Sequence, residues 1–171
     1  ATQELYGLDN KTTEVYGRRL LAARRLAERG VRYSLVYLSG YGEWDSHRDL
    51  KKNHARSCER VDKPIAGLLK DLKRRGMYDD TLVVCCTEFG RTPFEQDLSR
   101  GKKPPTTYGR GHSPQGLSAV LAGGGVNAGL ADGRTAEHGS RTAEGRMHIL
   151  DLHAPAPLPA RSDPLPVTSP S

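Results

Sequence analysis

Cysteine, long apolar runs and an export signal are scarce or absent in this sequence, and each lack excludes a class of protein. Three cysteines, Cys58, Cys85 and Cys86, provide no disulfide framework and no CxxC metal-binding pair. We therefore expect three free thiols that act as small apolar side chains. No apolar run has the length of a transmembrane helix, so no membrane span is predicted. The chain shows no signal peptide and does not begin with Met, so its localisation stays open and its natural start is expected upstream.

Acidic residues are fewer than basic ones, which gives a net charge of +6 and a pI near 9.4. The basic side chains are interleaved with acids along predicted helices, as in residues 70–75, and no nucleic-acid-binding motif accompanies them. We therefore predict no nucleic-acid partner, and the charge fits an anionic small substrate equally well. A nucleic-acid binder is the weakest of three interpretations, and steeply salt-dependent DNA binding would support it.

Two segments have helical periodicity. Residues 11–29 and 50–75 place apolar side chains on one face, and Gly30 and Gly76 mark their ends. Pro64 lies within the second segment and predicts a kink or a restart of the helix. The hydrophobic content of 36% is below the usual globular share, which favours a chain that is part of a larger fold.

Three segments have the composition of strands. Residues 31–38, 81–86 and 117–122 are rich in β-branched and apolar side chains. The order strand, helix, strand over residues 31–86 predicts a βαβ unit, with a parallel sheet and a right-handed crossover. We therefore predict an α/β fold over residues 1–154. From Pro155 to Ser171 six of seventeen residues are proline, and we expect this tail to be disordered.

Four side chains that can bind metal follow predicted strands or lie in nearby loops: Asp45, His47, Glu88 and His112. Loops at the carboxyl ends of parallel strands meet at one edge of the sheet. Carboxylates together with imidazoles suit zinc or a similar ion, and carboxylates alone suit magnesium or calcium. The alternative is that these loop residues have structural roles only, as helix caps, turn formers or solvated groups.

Arg91 follows Glu88 by three residues, at the end of the strand that opens at Thr81. Its guanidinium could pair with Glu88, or it could bind an anionic substrate group with two hydrogen bonds. The glycine run 123–125 lacks the lysine and hydroxyl residue of a phosphate-binding loop, so it predicts a tight turn.

A series of motifs carries a resemblance to a known family. They occur in this order: Trp44-Asp45-Ser46-His47, residues 61–69, residues 80–84, Glu88-Phe89-Gly90-Arg91-Thr92-Pro93, residues 111–116, residues 121–126 and Asp151-Leu152-His153-Ala154. Over residues 6–154 the chain resembles the carboxyl-terminal half of the bacterial sulfatase-like proteins grouped as domain-of-unknown-function family 1501. That family is similar to the alkaline phosphatase superfamily.

The resemblance implies a fold and a set of ligands. The fold is an α/β/α sandwich around a mixed, mainly parallel sheet. Asp45 and His47 match the superfamily's earlier Asp/His metal ligands, and His112 matches its later histidine ligand. The superfamily's Asp-His pair at a strand end falls on Glu88 and Phe89, of which only Glu88 can bind a metal.

The chain departs from the family pattern in three places. Gly111 stands where the family has an Asp, which removes a carboxylate that could bind the metal or orient His112. The superfamily's nucleophile lies in the amino-terminal half, which this sequence does not contain. After Ala154 the family continues with an apolar helix where this chain has its proline-rich tail. We hypothesise a frameshift there or a damaged gene model, which the coding DNA would test.

These features lead to one main function and one alternative. The main interpretation is a fragment of a metal-dependent hydrolase of phosphate or sulfate esters, inactive alone because the nucleophile is absent. It would use zinc, calcium or magnesium and an anionic small-molecule or polysaccharide ester, with Arg91 on the anionic group. Intact relatives of this kind are expected to be exported to the periplasm. The alternative is a non-catalytic binding module for an anionic polymer or a cell-surface partner.

Overall fold

The structure is a computed structural model that describes residues 2–40, 42–96 and 107–146. The described residues divide into two compact units. Unit 1 contains those within residues 1–81 and 94–111, and unit 2 contains those within residues 82–93 and 112–171. The prediction for the proline-rich tail lies outside the described residues.

Unit 1 is built on three helices, α1 (Thr2–Leu5), α2 (Glu14–Glu28) and α3 (Leu50–Arg74). The two long helices confirm the helical segments predicted from periodicity. Both end as predicted, because Gly30 and Gly76 adopt positive φ angles of 87° and 67° just after the helix. The helix α3 runs through Pro64 as one element, so the predicted restart is wrong. The Pro64 ring is fully buried, and this burial offsets the helix hydrogen bond that its nitrogen cannot donate.

The apolar core lies between these helices. The large apolar side chains that are buried are Tyr6, Tyr16, Leu20, Leu21, Val61, Leu68 and Leu72. In α3 they recur at spacings of seven and four residues, which places them on one helical face. All of them belong to unit 1, so the helices provide the hydrophobic stabilisation of the described structure.

A buried ionic cluster closes one side of this core. The Tyr6 hydroxyl donates to Asp71 Oδ2 over 3.0 Å, and the Arg24 Nε atom lies 2.9 Å from the same oxygen. Burial and the neighbouring Asp71 carboxylate raise the pKa of Tyr6 to about 12. Burial also works against the charged form of Asp71, but hydrogen bonds from Tyr6 and Arg75 outweigh it and lower the Asp71 pKa. The charges are thus compensated where water is excluded.

The strands are short and their defined pairings are antiparallel. The elements are β1 (Val83–Cys85), β2 (Gly90–Glu95), β3 (Arg110–Ser113), β4 (Val120–Ala122), β5 (Arg134–Thr135) and β6 (Thr142–Glu144). The strand β1 pairs with β4, and β5 with β6, both antiparallel, while β2 and β3 are hydrogen-bonded neighbours. The described chain is thus a mixture of helices and small antiparallel sheets, an α/β composition in the broad sense.

The predicted parallel βαβ unit does not form in the described residues. Residues 31–38 carry no strand, and Tyr33, Leu35 and Tyr37 are 79%, 62% and 69% exposed. A β-rich composition produces a strand only when a neighbouring strand accepts its main-chain hydrogen bonds. Side chains bond to this backbone instead: Arg19 donates to the Tyr37 carbonyl oxygen over 2.6 Å, and the Trp44 indole N–H donates to the Leu38 carbonyl oxygen over 3.0 Å.

The strand predicted at residues 81–86 is present but short and open to solvent. Cys85 and Cys86 are exposed rather than buried, although all three cysteines are free as predicted. Among the described residues of unit 2 no helix occurs, so no helical layer of that unit covers β1. The glycine run after β4 is the tight turn predicted, because all three residues have positive φ and the Val126 N–H donates to the Gly123 carbonyl. None of the described helices combines the length and apolar character needed to cross a membrane.

Candidate metal centre

Asp45 and His47 lie on a tightly turned loop that leads into α3. The Asp45 N–H donates to the Gly42 carbonyl over 3.2 Å, and the His47 N–H donates to the Asp45 carbonyl over 3.2 Å. Ser46, between them, is buried. The loop ends at Asp49, which adopts a left-handed φ of 50° directly before Leu50 begins α3. The side chains of Asp45 and His47 therefore lie close together on one loop of unit 1.

The side chains of Asp45 and His47 meet. The Asp45 Oδ1 atom lies 3.0 Å from His47 Nε2, and the two side chains are 42% and 31% exposed. On the other side of the ring, His47 Nδ1 contacts the Gln96 Oε1 atom. Gln96 comes directly after β2 and belongs to the same unit. The imidazole is therefore fixed at both nitrogens.

This arrangement fits a divalent metal ion. When His47 Nδ1–H donates to the Gln96 amide oxygen, the lone pair of Nε2 points toward the Asp45 carboxylate. Two electron-pair donors then face each other, and a cation or a second proton on the ring must lie between them. A metal-binding histidine commonly donates its other N–H to an oxygen acceptor, and the Gln96 amide oxygen lies where it can accept such a bond. Imidazole nitrogen with carboxylate oxygen is a donor set that zinc accepts.

Glu43 ties this loop to both long helices. Its carboxylate accepts hydrogen bonds from Gly40 N–H (2.8 Å), the Tyr16 hydroxyl (2.8 Å) and Arg60 Nη1 (2.6 Å). The Gly40 N–H, and then Arg60 and Tyr16, lower the pKa of Glu43 to about 2. Tyr16 lies in α2 and Arg60 in α3, so one acid fixes the loop start against two elements.

Trp44 provides a second attachment beside Asp45. Its indole N–H donates to the Leu38 carbonyl over 3.0 Å, and its own carbonyl lies 3.3 Å from His54 Nε2. The Trp44 and His54 rings meet edge to face with centroids 5.6 Å apart. Since His54 lies in α3, the loop is held by an aromatic contact as well as by the Glu43 ion pair.

A third segment, residues 108–110, packs against the loop that carries Asp45 and His47. The Arg110 N–H donates to the Ser46 carbonyl over 3.3 Å, and the Leu50 N–H donates to the Tyr108 carbonyl over 3.2 Å. A side chain at Gly109 would overlap the main chain of Ser46 and His47, so the close approach requires glycine there. Backbone contacts therefore hold His47 from a part of the sequence about sixty residues away.

The other predicted site residues belong to unit 2. Glu88 is exposed just before β2, and Arg91 is half-buried within β2. His112 lies in β3, and its ring packs against Phe89 with centroids 4.5 Å apart and planes tilted by 41°. The structure places Asp45 with His47 in unit 1, and it places Glu88, Arg91 and His112 in unit 2.

The sequence analysis placed Asp45 and His47 in one loop but assigned no role to the side chains that hold them. Gln96 lies 49 residues from His47 along the chain and contacts its ring. Glu43, Tyr16 and Arg60 also went unassigned. For Glu43, the usable signal was its place two residues before Asp45, in a loop that begins with Gly40 and Gly42.

Comparison with known proteins identifies a family but no characterised relative. The sequence profile of a family described as "Protein of unknown function (DUF1501)" matches residues 1–170, a range that includes the proline-rich tail. No curated protein and no solved structure matches this chain. With nearly the whole length covered by the profile, the chain belongs to the DUF1501 family of proteins of unknown function.

Proposed function

We propose that this chain binds a divalent metal ion through Asp45 and His47, as part of a hydrolase of phosphate or sulfate esters. The observation that carries the proposal is the 3.0 Å separation between Asp45 Oδ1 and His47 Nε2, with His47 Nδ1 already occupied by Gln96. Zinc is the ion that this pair of donor atoms favours, with calcium and magnesium as weaker candidates because they prefer oxygen alone. A bound ion would polarise the ester and stabilise the displaced oxygen.

Glu88, His112 and Arg91 extend this proposal. Glu88 and His112 are proposed as further ligands because their side chains offer the same kinds of donor atom. Arg91 is proposed to hold the anionic group of the substrate, because a guanidinium binds phosphate and sulfate oxygens with two parallel hydrogen bonds. The sulfatase-like relationship and a mainly parallel sheet rest on the order of the motifs, and the antiparallel pairs of the described residues do not support that sheet.

Metal binding can be tested on the chain as it is. The nucleophile of the resembled superfamily lies outside this sequence, so binding rather than turnover is the property to measure. After removal of metal with a chelator, calorimetric titration with Zn²⁺ should give one site. Asp45→Ala and His47→Ala should each lower the Zn²⁺ affinity at least about 10-fold. Removal of an outer-shell partner of a metal ligand can already lower the affinity by that factor. Glu88→Gln and His112→Ala then test the remaining ligands one at a time.

Matched controls are available elsewhere on the surface. Asp62 and His138 are exposed and belong to no part of the candidate site, so Asp62→Ala and His138→Ala should leave Zn²⁺ affinity unchanged. Absence of stoichiometric binding, or equal affinity in the Asp45 and His47 variants, would refute the proposal. The outcome for Glu88 and His112 decides only how many ligands the ion has.

The alternative is a binding module for an anionic polymer, and the net charge of +6 is what favours it. Its signature is retention on an immobilised sulfated polysaccharide that falls with salt and does not change when metal is removed. Retention that requires Zn²⁺ would instead favour the metal-dependent site.

A further inference from the structure

The ring of His47 has two different neighbours, and this difference decides which nitrogen can bind a metal. The Gln96 amide oxygen contacts Nδ1, and the Asp45 carboxylate lies 3.0 Å from Nε2. An amide oxygen accepts a hydrogen bond and cannot donate one. The Asp45 carboxylate also only accepts, so the two neighbours compete for the proton of the neutral ring. An ion bound at Nε2 would leave that proton on Nδ1, where the Gln96 oxygen can accept it.

Gln96 is anchored to the same loop as the ring it contacts. Its N–H donates to the Gly109 carbonyl over 3.0 Å. Gly109 in turn lies against the main chain of Ser46 and His47 with no room for a side chain, and the neighbouring Arg110 N–H bonds to Ser46. The position of the Gln96 backbone is thus coupled to that of His47 through a short series of main-chain contacts, all within unit 1.

We propose that Gln96 is a positioning residue that fixes the Nδ1–H tautomer of His47 and so directs Nε2 to the metal ion. This inference rests on the proposed metal site and adds a residue to it. The role requires a hydrogen-bond acceptor at position 96. A carboxylate should therefore replace the amide, and an apolar side chain of similar size should not.

The first experiment measures metal affinity. In calorimetric titration with Zn²⁺, Gln96→Leu should bind about 10–100-fold more weakly than the unaltered chain, the usual effect of losing an outer-shell partner. Gln96→Glu should restore affinity to near that of the unaltered chain, because it keeps an acceptor. Gln115→Leu changes an exposed glutamine of unit 2 and should have no effect. The helical circular dichroism of each variant shows that α2 and α3 are intact.

The second experiment needs no metal. Nitrogen-15 NMR of metal-free Asp45→Ala, in which no carboxylate competes for the ring proton, should show His47 protonated at Nδ1. The His47 signals are assigned by their loss in His47→Gln. In Asp45→Ala combined with Gln96→Leu the preference for Nδ1 should disappear. A proton on Nε2 in the Asp45→Ala chain would overturn the assignment of Gln96.

The two experiments separate the two proposals. If the chain binds Zn²⁺ and Gln96→Leu binds it equally well, the role of Gln96 is refuted while the metal site stands. If the unaltered chain binds no Zn²⁺, the proposed function fails, and the NMR result alone decides whether Gln96 sets the tautomer. Weakened binding in Gln96→Leu, with rescue by Gln96→Glu, supports both.

Discussion

Glu43 is the residue on which the geometry of the candidate metal loop depends most directly. It lies two positions before Asp45 and accepts hydrogen bonds from the loop itself, from α2 and from α3. Its side chain is 31% exposed, so the ion pair with Arg60 is only partly screened by water. Loss of this carboxylate would free the loop start, and the position of Asp45 would no longer be defined by both helices.

The low pKa of Glu43 predicts a specific dependence of stability on pH. Its folded-state value of about 2 is below the ordinary value of 4.5, so folding favours the charged carboxylate. The Glu43 carboxylate therefore makes its full contribution to the free energy of unfolding above its ordinary pKa of 4.5. This contribution is lost as the pH falls toward 2. In urea unfolding at pH 7, Glu43→Gln should reduce the free energy of unfolding by about 1–2 kcal/mol, the contribution of hydrogen bonds to a charged group.

The same measurement at low pH provides the test. The difference in the free energy of unfolding between the unaltered chain and Glu43→Gln should shrink between pH 4.5 and pH 2, because Glu43 becomes protonated over this range and loses its charge. A difference that stays constant across this range would contradict the role of the charge. Glu59→Gln, which changes an exposed acid of α3, should show little effect at either pH.

At the residue level the sequence predicted the candidate ligands Asp45 and His47 but not the residues that hold their loop. Asp45 and His47 were predicted because metal-binding residue types two positions apart can be recognised within a short window. Gln96 and Gly109 could not be predicted in this way, because their contacts with His47 depend on how the chain folds back after β2. A glutamine or a glycine in a polar loop carries no local sign of such a partner.

Among the elements, α3 depends on one unusually close contact. Gly67 faces the main chain of Leu5 in α1, and a Cβ atom there would overlap the Leu5 carbonyl oxygen. The short helix α1 can therefore lie directly on the α3 backbone. Tyr6, which follows α1, is then placed to bond with Asp71 of the same helix.

Gly67→Ala should destabilise unit 1 although alanine is the better helix former. Within a helix this exchange normally gains about 1 kcal/mol, but overlap with α1 should cost about 1–3 kcal/mol by forcing the backbones apart. Urea unfolding followed by circular dichroism measures the net change. Lys70→Ala, at an exposed position of α3, should stay within about 0.5 kcal/mol of the unaltered chain. A stabilised Gly67→Ala chain would show that α1 does not pack as described.

The helices were predictable from sequence because their signal is local, and the sheet was not. Periodic apolar residues and terminal glycines mark α2 and α3 within the segments themselves. The segment 31–38 has an equally clear β composition, yet it has no strand partner among the described residues. The antiparallel pairing of β1 with β4 places Val84 opposite Leu121, 37 residues further along the chain, and nothing in either segment specifies that direction.

For the whole molecule, hydrophobic burial is distributed unequally. Among the residues that the structure describes, every large apolar side chain that is buried belongs to unit 1, whereas Val84, Leu117 and Val120 of unit 2 are exposed. Two-stranded antiparallel pairs without a covering layer have little stability of their own. The local free energy of opening is therefore expected to be higher in unit 1.

Hydrogen exchange followed by mass spectrometry should resolve this difference. Amides of α2 and α3 should exchange slowest, at rates set by opening of the helical core, while those of β1, β4, β5 and β6 should exchange earlier. Leu72→Ala, which opens a cavity in the core of unit 1, should speed exchange in the helices. Equal protection of helices and strands in the unaltered chain would contradict the assignment of stability to unit 1.

The single tryptophan of the chain lies beside Asp45. Its indole is in contact with the His54 ring, and its N–H is bonded to the Leu38 carbonyl. All tryptophan fluorescence of this protein therefore originates within the loop that carries Asp45 and His47. The environment of this loop can therefore be followed in solution by the fluorescence of Trp44, without an added label.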